Sequence, residues 1–120
     1  MEHFPRSKTQ LVVNEWVRVL KPGGIIRISV PGFDNLIKIY QLSNDIENII
    51  GPITGGQTYK ENFHYNIFNE QTLTKILEKS GCEAVHKWDY RRTIHSNCFD
   101  FSQATTFEIP ISLNLEARKI

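Results

Sequence analysis

Cysteine is scarce here: Cys82 and Cys98, two among 120 residues, cannot make the disulfide framework of a small secreted domain. No stretch resembles a secretory leader, and none is long and apolar enough to read as a membrane-spanning helix. A reducing cytoplasm is therefore the expected compartment, with no membrane partner. An excess of one charge is also missing. The 14 Lys and Arg residues nearly balance 13 Asp and Glu, for a net charge of +1. Being dispersed, they give no basic footprint for nucleic acid, and Arg91-Arg92 reads as a solvated turn. Glycine occurs 7 times but never as Gly-x-Gly. Internal repeats, low-complexity runs and linker composition are absent as well. With 40% hydrophobic residues, the chain is expected to be a single domain over residues 1–120 with a modest core.

What is present begins with a helix, a stop and a strand in immediate succession. Ser7 and Gln10 have the spacing of a capping box, so a helix is expected to start near Ser7. Leu11, Val12, Trp16, Val19 and Leu20 recur at three and four residues and read as its buried face. Lys21-Pro22-Gly23-Gly24 ends it. In the strand that follows, Ile26, Ile28 and Val30 point one way and Ile25, Arg27 and Ser29 the other.

Further on, Asp34 is expected to cap a short helix carrying Leu36, Ile37, Ile39, Tyr40 and Leu42, with another turn or two over residues 44–50 closed by Gly51-Pro52. Residues 53–66 have neither period and read as a long mobile loop, aromatic and polar together. Asn69 caps an amphipathic helix with Leu73, Ile76 and Leu77 inside, closed by Ser80-Gly81. A strand is expected over residues 82–90, with Val85 on one side and Ala84, His86 and Trp88 on the other. Residues 91–110 are irregular. Ile111, Leu113, Leu115 and Ala117 then alternate with Ser112, Asn114, Glu116 and Arg118, a period of two that marks a last strand. Trp16 and Trp88 read as packing residues.

Arg18-Val19-Leu20-Lys21-Pro22-Gly23-Gly24 followed by an apolar strand ending in Pro31 resembles class I S-adenosylmethionine-dependent methyltransferases of the type 11 kind, in the segment joining their fourth and fifth strands. Glu2-His3-Phe4-Pro5 resembles the Glu-His after the fourth strand. Phe63-His64-Tyr65 with Phe68 resembles the substrate-side segment, and Ser112 through Ala117 resembles the closing strand. The resemblance implies an α/β fold, the C-terminal half of a Rossmann-like methyltransferase domain, with a three-stranded mixed sheet, flanking helices and a last strand antiparallel beside the fifth. That family holds its cofactor on a glycine-rich turn after the first strand, which these residues lack. The expectation is therefore a C-terminal part of an enzyme acting on a small molecule, with S-adenosylmethionine as the cofactor of the parent family but none bound by this chain alone.

The resemblance offers Glu2 and His3 as catalytic candidates, since they fall where ligands bind in open α/β sheets, and a polar surface pair is the plainer alternative. Tyr59, Asn62, His64 and Tyr65 are the candidate substrate-binding residues because polar and aromatic groups share one loop; anchoring of that loop is the alternative. No metal is expected: His95, Cys98 and Asp100 lack a second ligand pair, and His3, His64 and His86 are scattered in sequence. If the elements preceding the fifth strand are missing, the strand from Gly24 to Val30 and the helix from Ser7 to Leu20 lose their cover. A homodimer through either is then expected, and the rival reading is a non-catalytic self-associating module. Three origins fit: a truncated gene product, a partner to a separate chain carrying the first half, or part of a longer gene.

Overall fold

The computed structural model describes residues 1–97 and 100–120; Cys98, and with it the His95, Cys98 and Asp100 set, lies outside the described residues. Helix α1 spans Arg6–Val19 with Pro5 at its N-cap and no side-chain cap, so Ser7 and Gln10 do not form the expected box. Gln10 reaches away instead, its Nε2 donating to the Ile76 carbonyl at 3.1 Å and to Ser80 Oγ at 2.8 Å. These bonds set the rotation of the helix. Thr9, Val13 and Val17 are the buried stripe, while Leu11, Trp16 and Val19 stay 62%, 36% and 66% exposed. At 100° per residue, the expected stripe lies roughly a quarter turn away. Burying Trp16 would carry Gln10 off Ser80.

Gly23, at φ 77°, makes the turn that Lys21-Pro22 begins. Strand β1, Ile25–Pro31, buries Ile28 and Val30 and exposes Ile25, Arg27 and Ser29, the alternation read from sequence. Helix α2, Phe33–Ser43, starts from Gly32, so Asp34 sits in the first turn rather than at the cap, where its charge complements the helix dipole. Leu36 and Ile39 are buried; Ile37, Tyr40 and Leu42 face outward. Helix α3, Glu47–Thr54, runs through Gly51-Pro52 instead of ending there. Gly51 has no Cβ for the proline ring to strike, which is the clash that usually stops a helix at this point.

Asn69 caps helix α4, Glu70–Lys79, in a full capping box with Thr72, and Leu73 and Leu77 are wholly buried. Strand β2 is Cys82–Lys87, three residues shorter than expected, since the chain then enters the turn that Asp89 caps; Ala84 at φ 53° marks a bulge within it, between Glu83 and His86. Residues 90–97 carry two 3-10 turns, Tyr90–Arg92 and Ile94–Asn97. A short ribbon of β3, Thr105–Thr106, and β4, Ile109–Pro110, precedes β5, Ser112–Lys119.

The main sheet has the order β1-β5-β2, and β5 is antiparallel to both neighbours, with Ile28 opposite Leu115 and Cys82 opposite Lys119. The expected mixed sheet is thus corrected: β1 and β2 point the same way but are not paired with each other, and both ladders are antiparallel. One face of this sheet packs on Val13 and Val17 of α1 and Leu73 and Leu77 of α4. A smaller core joins Leu36 and Ile39 to Ile49, with Ile111 against it. Trp88 is half-buried and its indole donates to the Ile28 carbonyl at 3.5 Å, whereas Trp16 stands at the surface. Among the described residues no helix is long and apolar enough to cross a membrane.

Candidate functional site

The carboxyl end of β1 opens on a cleft of about 430 Å³ lined by Glu2, His3, Ser29, Asn62, His64 and Ser112 among others. Its far wall is the segment after α3, and local hydrogen bonding shapes it. Gly55 bridges antiparallel to Phe63, His64 N–H donates to the Thr54 carbonyl at 3.0 Å, and Gln57 N–H donates to the Asn62 carbonyl at 3.2 Å. Tyr65 N–H then donates to the Glu2 carbonyl at 2.7 Å, tying the loop to the residues before α1. The expected mobile loop over residues 53–66 is therefore latched on both sides. Gly55 allows this: at φ 81° it takes a conformation that L side chains rarely adopt, and a Cβ there would collide with the Asn62 carbonyl oxygen.

Inside the cleft, the two oxygens of Glu2 have different surroundings. Oε2 lies 3.1 Å from the Met1 amino group, and Oε1 lies 3.6 Å from His3 Nε2 and 3.9 Å from His64 Nε2. The other ring nitrogens face backbone: His3 Nδ1 is 3.2 Å from the Phe63 carbonyl and His64 Nδ1 is 2.7 Å from the Pro52 carbonyl. The imidazoles meet edge to face with centroids 4.7 Å apart. Burial pushes the Glu2 carboxyl up, but its own backbone N–H, the nearby amino group and His3 outweigh this and hold it below the usual carboxylate range. At neutral pH Glu2 is thus an anion, able to take a proton or to hold a cation.

Four candidates from the sequence, Glu2, His3, Asn62 and His64, meet here. Tyr59 and Tyr65 are 62% and 54% exposed and stand outside the lining; Tyr65 contributes its backbone rather than its ring. The reading of the histidines as scattered is corrected for His3 and His64, while His86 lies apart, 3.4 Å from Glu116. Ser29, Phe101 and Ser112 were missed. Ser29 and Ser112 occupy the polar phase of their strands, a signal present in the sequence, and Ser112 Oγ donates to the Phe101 carbonyl at 2.6 Å. Comparison of the chain with protein-family models, with curated proteins and with solved structures finds no match.

Proposed function

We propose that this chain is the C-terminal part of a S-adenosylmethionine-dependent methyltransferase acting on a small molecule, and that its cleft is the wall on the side of the methyl acceptor. The observation that carries this reading is the sheet order, in which the last strand is antiparallel between two strands of common direction. The position of the cleft at the carboxyl end of β1 supports it, since open α/β sheets bind ligands there. Methyl transfer needs a positioned acceptor and, for some acceptors, a base, because the sulfonium is already activated. In this proposal Glu2 and His3 serve as base or cofactor edge, and Asn62 and His64 orient the acceptor. No glycine-rich turn occurs in these residues. The cofactor is accordingly held by a preceding segment or a second chain.

Sequencing the gene upstream of Met1 tests the proposal. An in-frame strand followed by Gly-x-Gly-x-Gly is expected, and the longer product should transfer a labelled methyl group from S-adenosylmethionine to members of a small-molecule acceptor panel. An unrelated upstream domain, or a longer product that transfers nothing to any acceptor, overturns it.

A self-associating module without catalysis is the second reading. The exposed Leu11, Trp16 and Val19 on α1 and the unpaired outer edge of β1 among the described residues favour it.

A further inference from the structure

We propose that Glu2, His3 and His64 form a binding site for a divalent transition-metal ion. One carboxylate oxygen and two imidazole nitrogens of these residues lie within 4.8 Å of one another. The direction of their lone pairs distinguishes them from a chance gathering. A carbonyl oxygen only accepts, so the Phe63 carbonyl at 3.2 Å and the Pro52 carbonyl at 2.7 Å assign the ring proton to Nδ1 of His3 and of His64. A ring in its neutral form with the proton there carries a bare lone pair on Nε2, and both Nε2 atoms face Glu2 Oε1 across 3.6 and 3.9 Å. Three donor atoms converge on the Oε1 side of Glu2, while the Met1 amino group occupies the other side at Oε2.

The surroundings match what ligating histidines require. A backbone carbonyl behind each Nδ1–H fixes ring orientation and raises the basicity of the opposite nitrogen. Two imidazoles and a carboxylate suit Zn²⁺, Co²⁺ or Fe²⁺, whereas Mg²⁺ and Ca²⁺ prefer oxygen donors throughout. Coordination bonds of about 2.0–2.2 Å put neighbouring donors about 3–3.5 Å apart, so the set must contract by about an ångström. His3, with a side chain 40% exposed, has room to make that movement, while Glu2 and His64 at 15% and 11% are held.

Three protein ligands leave positions open, as in catalytic rather than structural sites. They face a cleft that Ser29, Asn62 and Ser112 also line. An oxygen of a bound ligand would fill one, polarised by the ion. That the ligand is a methyl acceptor rests on the function proposed above, with the ion then taking over from Glu2 and His3 the part of base; the metal site itself does not rest on it.

Untagged chain, stripped with a chelator and titrated with Co²⁺ near neutral pH, should take up one equivalent, with visible absorption bands of nitrogen and oxygen ligation. His64→Ala should weaken uptake at least tenfold, and His86→Ala, outside the cleft, should leave it unchanged. Zn²⁺ added to the unaltered chain should move the ¹⁵N signals of Nε2 in His3 and His64 while Nδ1 keeps its proton, a readout independent of any variant's folding. The proposal fails if Co²⁺ uptake does not saturate, if His64→Ala binds equally well while folded, or if the His3 and His64 signals stay still. Failure here leaves the methyl-transfer reading standing, because that reading is tested by the upstream sequence and by labelled transfer.

Discussion

Gly55 decides where His64 stands. Its positive φ lets the chain double back so that Thr54 and His64 pair, and a Cβ there would meet the Asn62 carbonyl and the His64 nitrogen together. Gly55→Ala should therefore cost about 2 kcal/mol or more, combining left-handed strain with overpacking. Urea unfolding should show a lower midpoint with an unchanged slope. An unchanged midpoint would mean that the latch contributes nothing. Nothing periodic in the sequence announces this role, since Gly55-Gly56 reads equally well as a flexible hinge. Likewise Glu2 and His64 are far apart in sequence, and the resemblance and loop composition that singled each out gave no sign that they meet. The hydrogen bond from Tyr65 N–H to the Glu2 carbonyl joins their segments, and backbone pairing of that range leaves no mark on side-chain pattern.

Among the elements, α4 was the most legible, because its cap, its apolar spacing and its closing glycine all lie within one short stretch. Asn69 Oδ1 accepts from Thr72 N–H at 2.9 Å and Thr72 Oγ1 accepts from Asn69 N–H at 3.1 Å. Asn69→Ala should lower stability by about 1 kcal/mol, read from thermal or urea unfolding, and no change would show that the cap is redundant. Strands β1 and β5 were legible for a similar reason, as period two reports one covered face. The rotation of α1 was not, since two apolar stripes compete and a polar residue, Gln10, settles the choice through a helix far along the chain. The β3–β4 ribbon shows a local conflict that composition hides. Phe107 and Glu108 both take positive φ, 52° and 63°, in a two-residue turn that favours Asn-Gly. Phe107→Asn combined with Glu108→Gly should raise stability by about 0.5–1 kcal/mol, measured by the same unfolding curves.

At the scale of the molecule, the radius of gyration is 14.7 Å, against about 13.6 Å for a compact chain of this length. The difference accompanies uncovered surface. The outer edge of β1 has no strand partner among the described residues, Ile25 is 46% exposed, and Leu11, Trp16 and Val19 leave an apolar stripe on α1. Sedimentation at micromolar concentration should find a two-fold dimer, and Leu11→Ser with Trp16→Ser should return it to a monomer that still unfolds cooperatively. A compact wild-type monomer would sink the expectation. The central place of β5 has another implication, concerning synthesis. Residues 25–31 leave the ribosome long before residues 112–119, their partners in the sheet. At about 5–20 residues per second, that interval lasts about 4 to 17 s. Throughout it Ile26, Ile28 and Val30 have no strand to pair with, so the nascent chain is a client for whatever shields apolar segments at the exit tunnel until its central strand emerges.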